Sequence, residues 1–179
     1  QPNNPHAILG NVVLLEARGA THEALVLTQR YFDDVEGNNL ELKLMHIHLL
    51  LKNKGVPQAK TLFDQLPPQV QALSFSRGLK AQLQLADQDY TSALENMAFA
   101  YQDRPNSQNA SLLYGLTRRV HGEAKAYEFL QAHLKRRPKD QANIMRLADL
   151  QLRKDKRLAM ASYRKALEIN ESNFVAHNN

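Results

Sequence analysis

An all-α chain, built as a solenoid of about five antiparallel helix pairs, is predicted from three observations. Alanine recurs as Ala24, Ala59, Ala93, Ala126 and Ala159, at intervals of 35, 34, 33 and 33 residues. An apolar, helix-length stretch precedes each of these alanines and is closed by a short break. No segment alternates apolar and polar residues between hairpin turns, as a half-buried strand would.

The spacing around each alanine has a physical cause. Four residues on stand Thr28, Phe63, Met97, Leu130 and Tyr163, and seven residues on stand Tyr31, Leu66, Ala100, His133 and Ala166. Steps of four and three keep side chains on one helix face. The small residue lets a neighbouring helix come close, and the larger one fills the gap a turn later. Pro105 and Pro138, twelve residues past their alanines, stop the helix and turn the chain.

The first helices of the units are predicted at about Pro5–Arg18, Leu40–Asn53, Val70–Ala86, Asn109–Val120 and Gln141–Arg153. Each is followed by a break suited to a tight turn: Gly19, Lys54-Gly55, Asp87-Gln88-Asp89, Gly122 and Lys154-Asp155. The joints between units carry Asn38-Asn39, Pro67-Pro68, Asn106-Ser107, Asp140 and Ser172-Asn173. Asn, Ser or Asp there can accept the free N–H groups of the next helix. The expected units are 5–38, 39–69, 70–106, 107–140 and 141–173, with 174–179 starting another.

This pattern resembles the tetratricopeptide repeat (TPR) family, in which small residues recur in both helices, an aromatic sits in the second and proline lies near the end. The third unit matches best, through Ala81, Tyr90, Ala93, Ala100 and Pro105; the fifth matches through Ala148, Ala159, Tyr163 and Ala166. Thr28 and His133 depart from the pattern by placing polar groups at core positions. The resemblance implies a right-handed superhelix and a role in protein–protein interaction. Leu14 to Gly19, Lys165 to Asn170 and Val175 to Asn179 are also similar to bacterial TPR-rich lipoproteins of exosortase (PEP-CTERM) and exopolysaccharide systems. That narrower resemblance implies an exported, membrane-tethered scaffold, periplasmic or in the cell envelope, whose anchor lies outside these residues.

Composition narrows the chemistry. Of the 179 residues none is cysteine, which removes disulfides, thiol nucleophiles and cysteine-ligated zinc. His46 and His48, two apart, point to different faces of a helix and do not make a zinc-protease pair. Asp33-Asp34 and Asp87/Asp89 read as helix-end carboxylates. There is no nucleophile elbow, P-loop or dinucleotide fingerprint. No enzyme activity and no cofactor is expected.

The net charge of +5 is uneven: Arg104 to Lys165 holds fifteen Lys or Arg against five Asp or Glu. In TPR geometry the first helices line the inner face. The resemblance places His48, Lys52, Gln82, Arg118, Arg119, Arg146 and Arg153 on or near it. The arginines would suit a carboxylate-bearing partner, an acidic peptide or an anionic polysaccharide, because guanidinium groups bind carboxylates bidentately. Lys135-Arg136-Arg137 and Lys154 to Arg157 also read as solvated helix-end charges favoured by the helix dipole. Aromatic residues fall at core positions and not on stacking platforms, so nucleic acid is not the expected partner. Some TPR domains grip a chaperone's terminal carboxylate with a fixed basic set; here the equivalent places hold Leu44, His48, Gly78 and Gln82, and that set is not reproduced.

Overall fold

The computed structural model describes residues 4–34 and 39–169. Among them are eleven helices and no strand: α1 (Pro5–Ala17), α2 (Thr21–Asp34), α3 (Leu40–Lys52), α4 (Val56–Asp64), the one-turn α5 (Pro68–Gln71), α6 (Ser74–Ala86), α7 (Tyr90–Asp103), α8 (Ser107–His121), α9 (Glu123–Arg136), α10 (Gln141–Leu152) and α11 (Lys156–Ile169). No described helix is long and apolar enough to cross a membrane. The expected start of a further repeat at 174–179 lies outside the described residues.

The alanine register accounts for the packing. Ala24, Ala59, Ala93, Ala126 and Ala159 all have zero exposure. The residues four and seven positions on from each are buried as well, Thr28 and His133 included. At Ala24, Ala59, Ala126 and Ala159 a methyl side chain lets the paired helix approach, and the larger residue one turn later closes the contact.

The chain forms two compact units, 1–89 and 90–179. In the first, α1 packs on α2, α2 on α3, and α3 on both α4 and α6. One cluster joins Ile8, Val12, Ala24 and Tyr31 to Leu42 and Leu49 of α3; another joins Leu44, Ile47 and Leu50 to Phe63, Leu79 and Leu83. Helix α3 therefore presents apolar residues to neighbours on both sides, as a central solenoid helix must. In the second unit, α7 packs on α8, α8 on α9 and α10 on α11, with α10 also against α8 and α9. Ala126 and Leu130 meet Tyr114 and Leu150, while Ala159 and Tyr163 meet Ala148.

Side-chain capping explains several helix starts. The side chains of Asn39, Asn106 and Asp140 accept from the backbone N–H of Leu42, Asn109 and Asn143 at 2.9, 2.8 and 3.2 Å. The Pro67-Pro68 joint has no such acceptor, and there the expected helix from Val70 is corrected. Pro68 opens the single turn α5, and Gln71 donates its side-chain amide to the carbonyls of Leu66 and Phe63 at 3.0 and 3.4 Å. That holds α5 back against the end of α4, so the next helix restarts at Ser74 with no side-chain cap.

Three of the turns inside pairs share one geometry. Gly19, Lys54 and Gln88 have φ of 77°, 64° and 63°, and the following N–H returns to the carbonyl five residues back (Ala20 to Leu15, Gly55 to Leu50, Asp89 to Gln84). This is the Schellman closure, in which a left-handed residue satisfies the last helical carbonyls. At the second turn the left-handed residue is Lys54, not Gly55. Glycine at 55 avoids crowding, since a Cβ there would stand 3.1 Å from Leu50 Cδ2 and 3.3 Å from its carbonyl oxygen.

Two outcomes test this account. Ala126→Leu or Ala93→Leu should overpack the contact and cost about 1–3 kcal/mol, measured by urea unfolding. Lys54→Gly should stabilise the protein by about 0.5–1 kcal/mol by relieving the left-handed strain, less the added freedom of the unfolded chain.

Candidate functional site

First helices lie side by side within each unit: α1 beside α3 and α3 beside α6 in one, α8 beside α10 in the other. Their exposed edges form the faces on which the candidate residues were expected.

In unit 1–89, Glu16 of α1 accepts from Lys52 Nζ of α3 at 2.7 Å, and His48 Nε2 stands 3.6 Å from the same carboxylate oxygen. The His48 ring is 6.2 Å from that of Phe75 on α6. Burial holds the His48 pKa down; Glu16 raises it and Lys52 lowers it, and the net shift is downward. Gln82 bonds its own helix, donating to the Gly78 carbonyl at 3.3 Å. The structure thus brings His48 and Lys52 together around Glu16, which residue pattern alone had not singled out. Exposed Val13, on the same helix as Glu16, adds an apolar element.

His46 faces the other way, as the two-residue offset requires. It is buried, its Nδ1 lies 2.7 Å from Thr28 Oγ1, and its ring tilts against Phe32 at 5.5 Å. Burial lowers its pKa, partly offset by Asp33. The polar residue at the core position of the first unit is therefore satisfied by a histidine on the next helix.

In unit 90–179 the second polar core residue, His133, anchors a larger network. Its Nε2 donates to Asp140 Oδ2 at 2.7 Å, and Nδ1 pairs with the Tyr101 hydroxyl at 2.7 Å. Ser107 Oγ donates to Asp140 Oδ1 at 2.7 Å and Asn143 Nδ2 to Oδ2 at 2.9 Å. Burial pushes the Asp140 pKa up, but the hydrogen bonds from Asn143, His133 and Ser107 together outweigh it and hold the carboxyl below the ordinary range. Carboxylate, imidazole and hydroxyl in a row have the look of a catalytic relay. The His133 and Asp140 side chains are only 0% and 4% exposed, however, and the hydroxyl at the end of the chain belongs to buried Tyr101. The row ties together the junction of α7, α8, α9 and α10, and Ser107 and Asp140 also border a cavity of about 570 Å³ beside Arg136 and Arg137.

The network reaches the surface at Arg146. Its Nη1 donates to Ser111 Oγ at 2.6 Å and to Asn143 Oδ1 at 3.0 Å, and its guanidinium stands 5.3 Å from the centre of the Tyr114 ring. Arg118, further along α8, and Arg153, capping the end of α10, are exposed. Arg119 lies elsewhere. Its guanidinium packs over Tyr90 of α7 at 4.6 Å and donates to the hydroxyl at 3.4 Å. Lys135, Arg136 and Arg137 are exposed around the end of α9, and Lys154 stands 3.5 Å from Glu123. Among the described residues no group of three or more His, Cys, Asp or Glu is placed to hold a metal ion.

Among solved structures, the chain is similar to a thermophilic TPR protein of Thermus thermophilus, with a TM-score of 0.77 and 19% identity over 97% of this chain and 95% of that one. Its fold is the TPR fold. It is also similar to MamA (41-end) from Desulfovibrio magneticus RS-1, at TM-score 0.62 and 19% identity over 94% and 96% of the two chains. A third likeness is to pilF of Pseudomonas aeruginosa, at TM-score 0.67 and 13% identity over 96% of this chain and 78% of that one. No protein-family model matches the chain, and no curated protein matches it.

The Asp140 hub carries a prediction. A carboxyl whose folded pKa is depressed adds stability above its unfolded pKa and loses it as pH falls through the folded value. Asp140→Asn should therefore cost about 1–3 kcal/mol at neutral pH. The gap between wild type and variant should narrow in acid unfolding curves once the wild-type carboxyl is protonated.

Proposed function

We propose that this chain is a binding scaffold whose first-helix faces hold a protein or peptide partner, and that the face of unit 90–179 takes an acidic segment. The observation that supports this most is Arg146. Two hydrogen bonds and a tyrosine ring hold its guanidinium in place before any ligand arrives, so little side-chain entropy remains to be lost on binding. Arg118 and Arg153 are exposed further along the same two helices, seven residues beyond Ser111 and Arg146. Arg119 is tied to Tyr90 and stands outside the set. In unit 1–89 the Glu16, His48 and Lys52 cluster next to Phe75 and Gln82 offers a mixed-charge surface that suits polar and apolar side chains of an extended segment.

The similarity of Leu14 to Gly19 and Lys165 to Asn170 to exosortase-associated TPR lipoproteins supports an envelope or export setting. Genes for exosortase or glycan synthesis beside the parent gene would support it further, and their absence would remove it.

The binding reading is tested with a fluorescent glutamate-rich peptide in anisotropy titrations. The triple variant Arg118→Glu, Arg146→Glu, Arg153→Glu should weaken binding at least about tenfold, and Arg119→Glu much less, with wild-type affinity falling as salt is raised. Unaltered affinity in the triple variant would overturn the assignment. Binding of a polyuronate and not of the peptide would transfer the same arginines to an anionic polysaccharide.

A further inference from the structure

Helix α3 turns His48 and Lys52 to the first-helix face and turns Lys43, His46 and Leu50 the opposite way, towards α2 and α4. On that side is a cleft of about 410 Å³ whose walls include Phe32 of α2 and Thr61 and Leu62 of α4. A recess of about 360 Å³ adjoins it, sharing Gln29 and Leu50. Volumes of this size and a mostly apolar lining are those of small-molecule sites.

The opening has a cause in the chain. Aligned on Ala24 and Ala59, α4 stops at Asp64, the counterpart of Gln29, whereas α2 continues to Asp34. The last turn of α2, which carries Phe32, therefore has no matching turn of α4 beside it. Pro67-Pro68 and the Gln71 hydrogen bonds fix this shortfall in place.

Two polar side chains of α3, His46 and Lys43, line the cleft. Thr28 Oγ1 donates its single proton to the Leu25 carbonyl at 2.9 Å. Its 2.7 Å contact with His46 Nδ1 is then a hydrogen bond only if Nδ1 carries a proton and donates. That assigns the lone pair of the neutral ring to Nε2. His46 is 3% exposed, and Nε2 has no hydrogen-bond partner among the described residues although the ring lines the cleft. Lys43, one turn earlier on α3, lines the same cleft and makes no ion pair with a described residue. Asp33 is engaged nearby by the Gln29 side chain at 2.9 Å.

We infer that this cleft binds a small hydroxylated aromatic acid, with its ring against Phe32, Leu50 and Leu62, its hydroxyl donating to His46 Nε2 and its carboxylate at Lys43. The apolar walls ask for the ring. The imidazole lone pair facing the cleft asks for a donor, because an acceptor there would leave both groups unpaired. The ammonium group selects an anion. This site lies across α3 from His48 and Lys52 and does not depend on the scaffold reading.

The test is a titration of the protein with 4-hydroxyphenylacetate, phenylacetate and 4-methylphenol, followed by NMR of the His46 and Phe32 rings. The hydroxylated acid should give saturable shifts at both rings. It should bind about tenfold tighter than phenylacetate, which lacks the donor. Lys43→Met should remove its advantage over 4-methylphenol and leave 4-methylphenol binding unchanged. Thr61→Phe, which projects a ring into the cleft from an exposed position, should abolish binding of all three while the helical circular dichroism stays the same. Shifts that never saturate, equal affinity for phenylacetate, or binding that survives Thr61→Phe would overturn the assignment.

Discussion

The close approach of paired helices at a fully buried alanine is the constraint on which the rest of this structure depends. Each anchor has a single methyl group and no exposure, and the residues four and seven positions on are buried with it. That spacing sets which helix faces are internal, so it also decides which residues remain for the surface. Helix α3 illustrates the consequence. With Leu42, Leu44, Ile47, Leu49 and Leu50 committed to packing, its remaining polar residues divide between two opposite sides.

Two of the repeat positions that follow the anchor alanines are filled by polar groups, and both are satisfied across neighbouring helices. Thr28 meets His46, and His133 meets Asp140 and Tyr101. In a stack of repeats, apolar contacts of similar size recur at every step and specify register weakly. A buried hydrogen bond between particular partners adds a penalty for any other alignment, because a slipped helix would leave the group unpaired. The second network also extends outward, so the same bonds that close the core orient a guanidinium at the surface.

The architecture was legible in the residues because it rests on spacing and on small side chains. The capping joints at Asn39, Asn106 and Asp140 were legible for the same reason, since one side chain and the next three backbone N–H groups form a local motif. The start at Ser74 was not, because it depends on Gln71 reaching back to the end of α4, a contact that no periodicity reports. Thr28 and His133 stood out as departures from the repeat, yet their partners lie 18, 32 and 7 residues away and become visible only once the helices are placed. Of the candidate surface residues, His48, Lys52 and Arg146 join defined clusters, Gln82 bonds its own helix, and Arg119 is drawn aside by Tyr90. The repeat position of Arg119 fixes its Cα but not the direction of a long, flexible side chain.

On the proposed acidic-partner reading, the unequal tethering of the arginines separates two kinetic roles. Exposed Arg118 and Arg153 would add to a diffuse positive field that guides an oppositely charged chain during its approach, a contribution that counter-ions erase readily. Arg146, fixed by the neutral Ser111, Asn143 and Tyr114, would add its charge to the same field and would also keep its orientation once a carboxylate has docked. On that reading capture speed is shared among all three arginines of α8 and α10, while residence time rests mainly on Arg146.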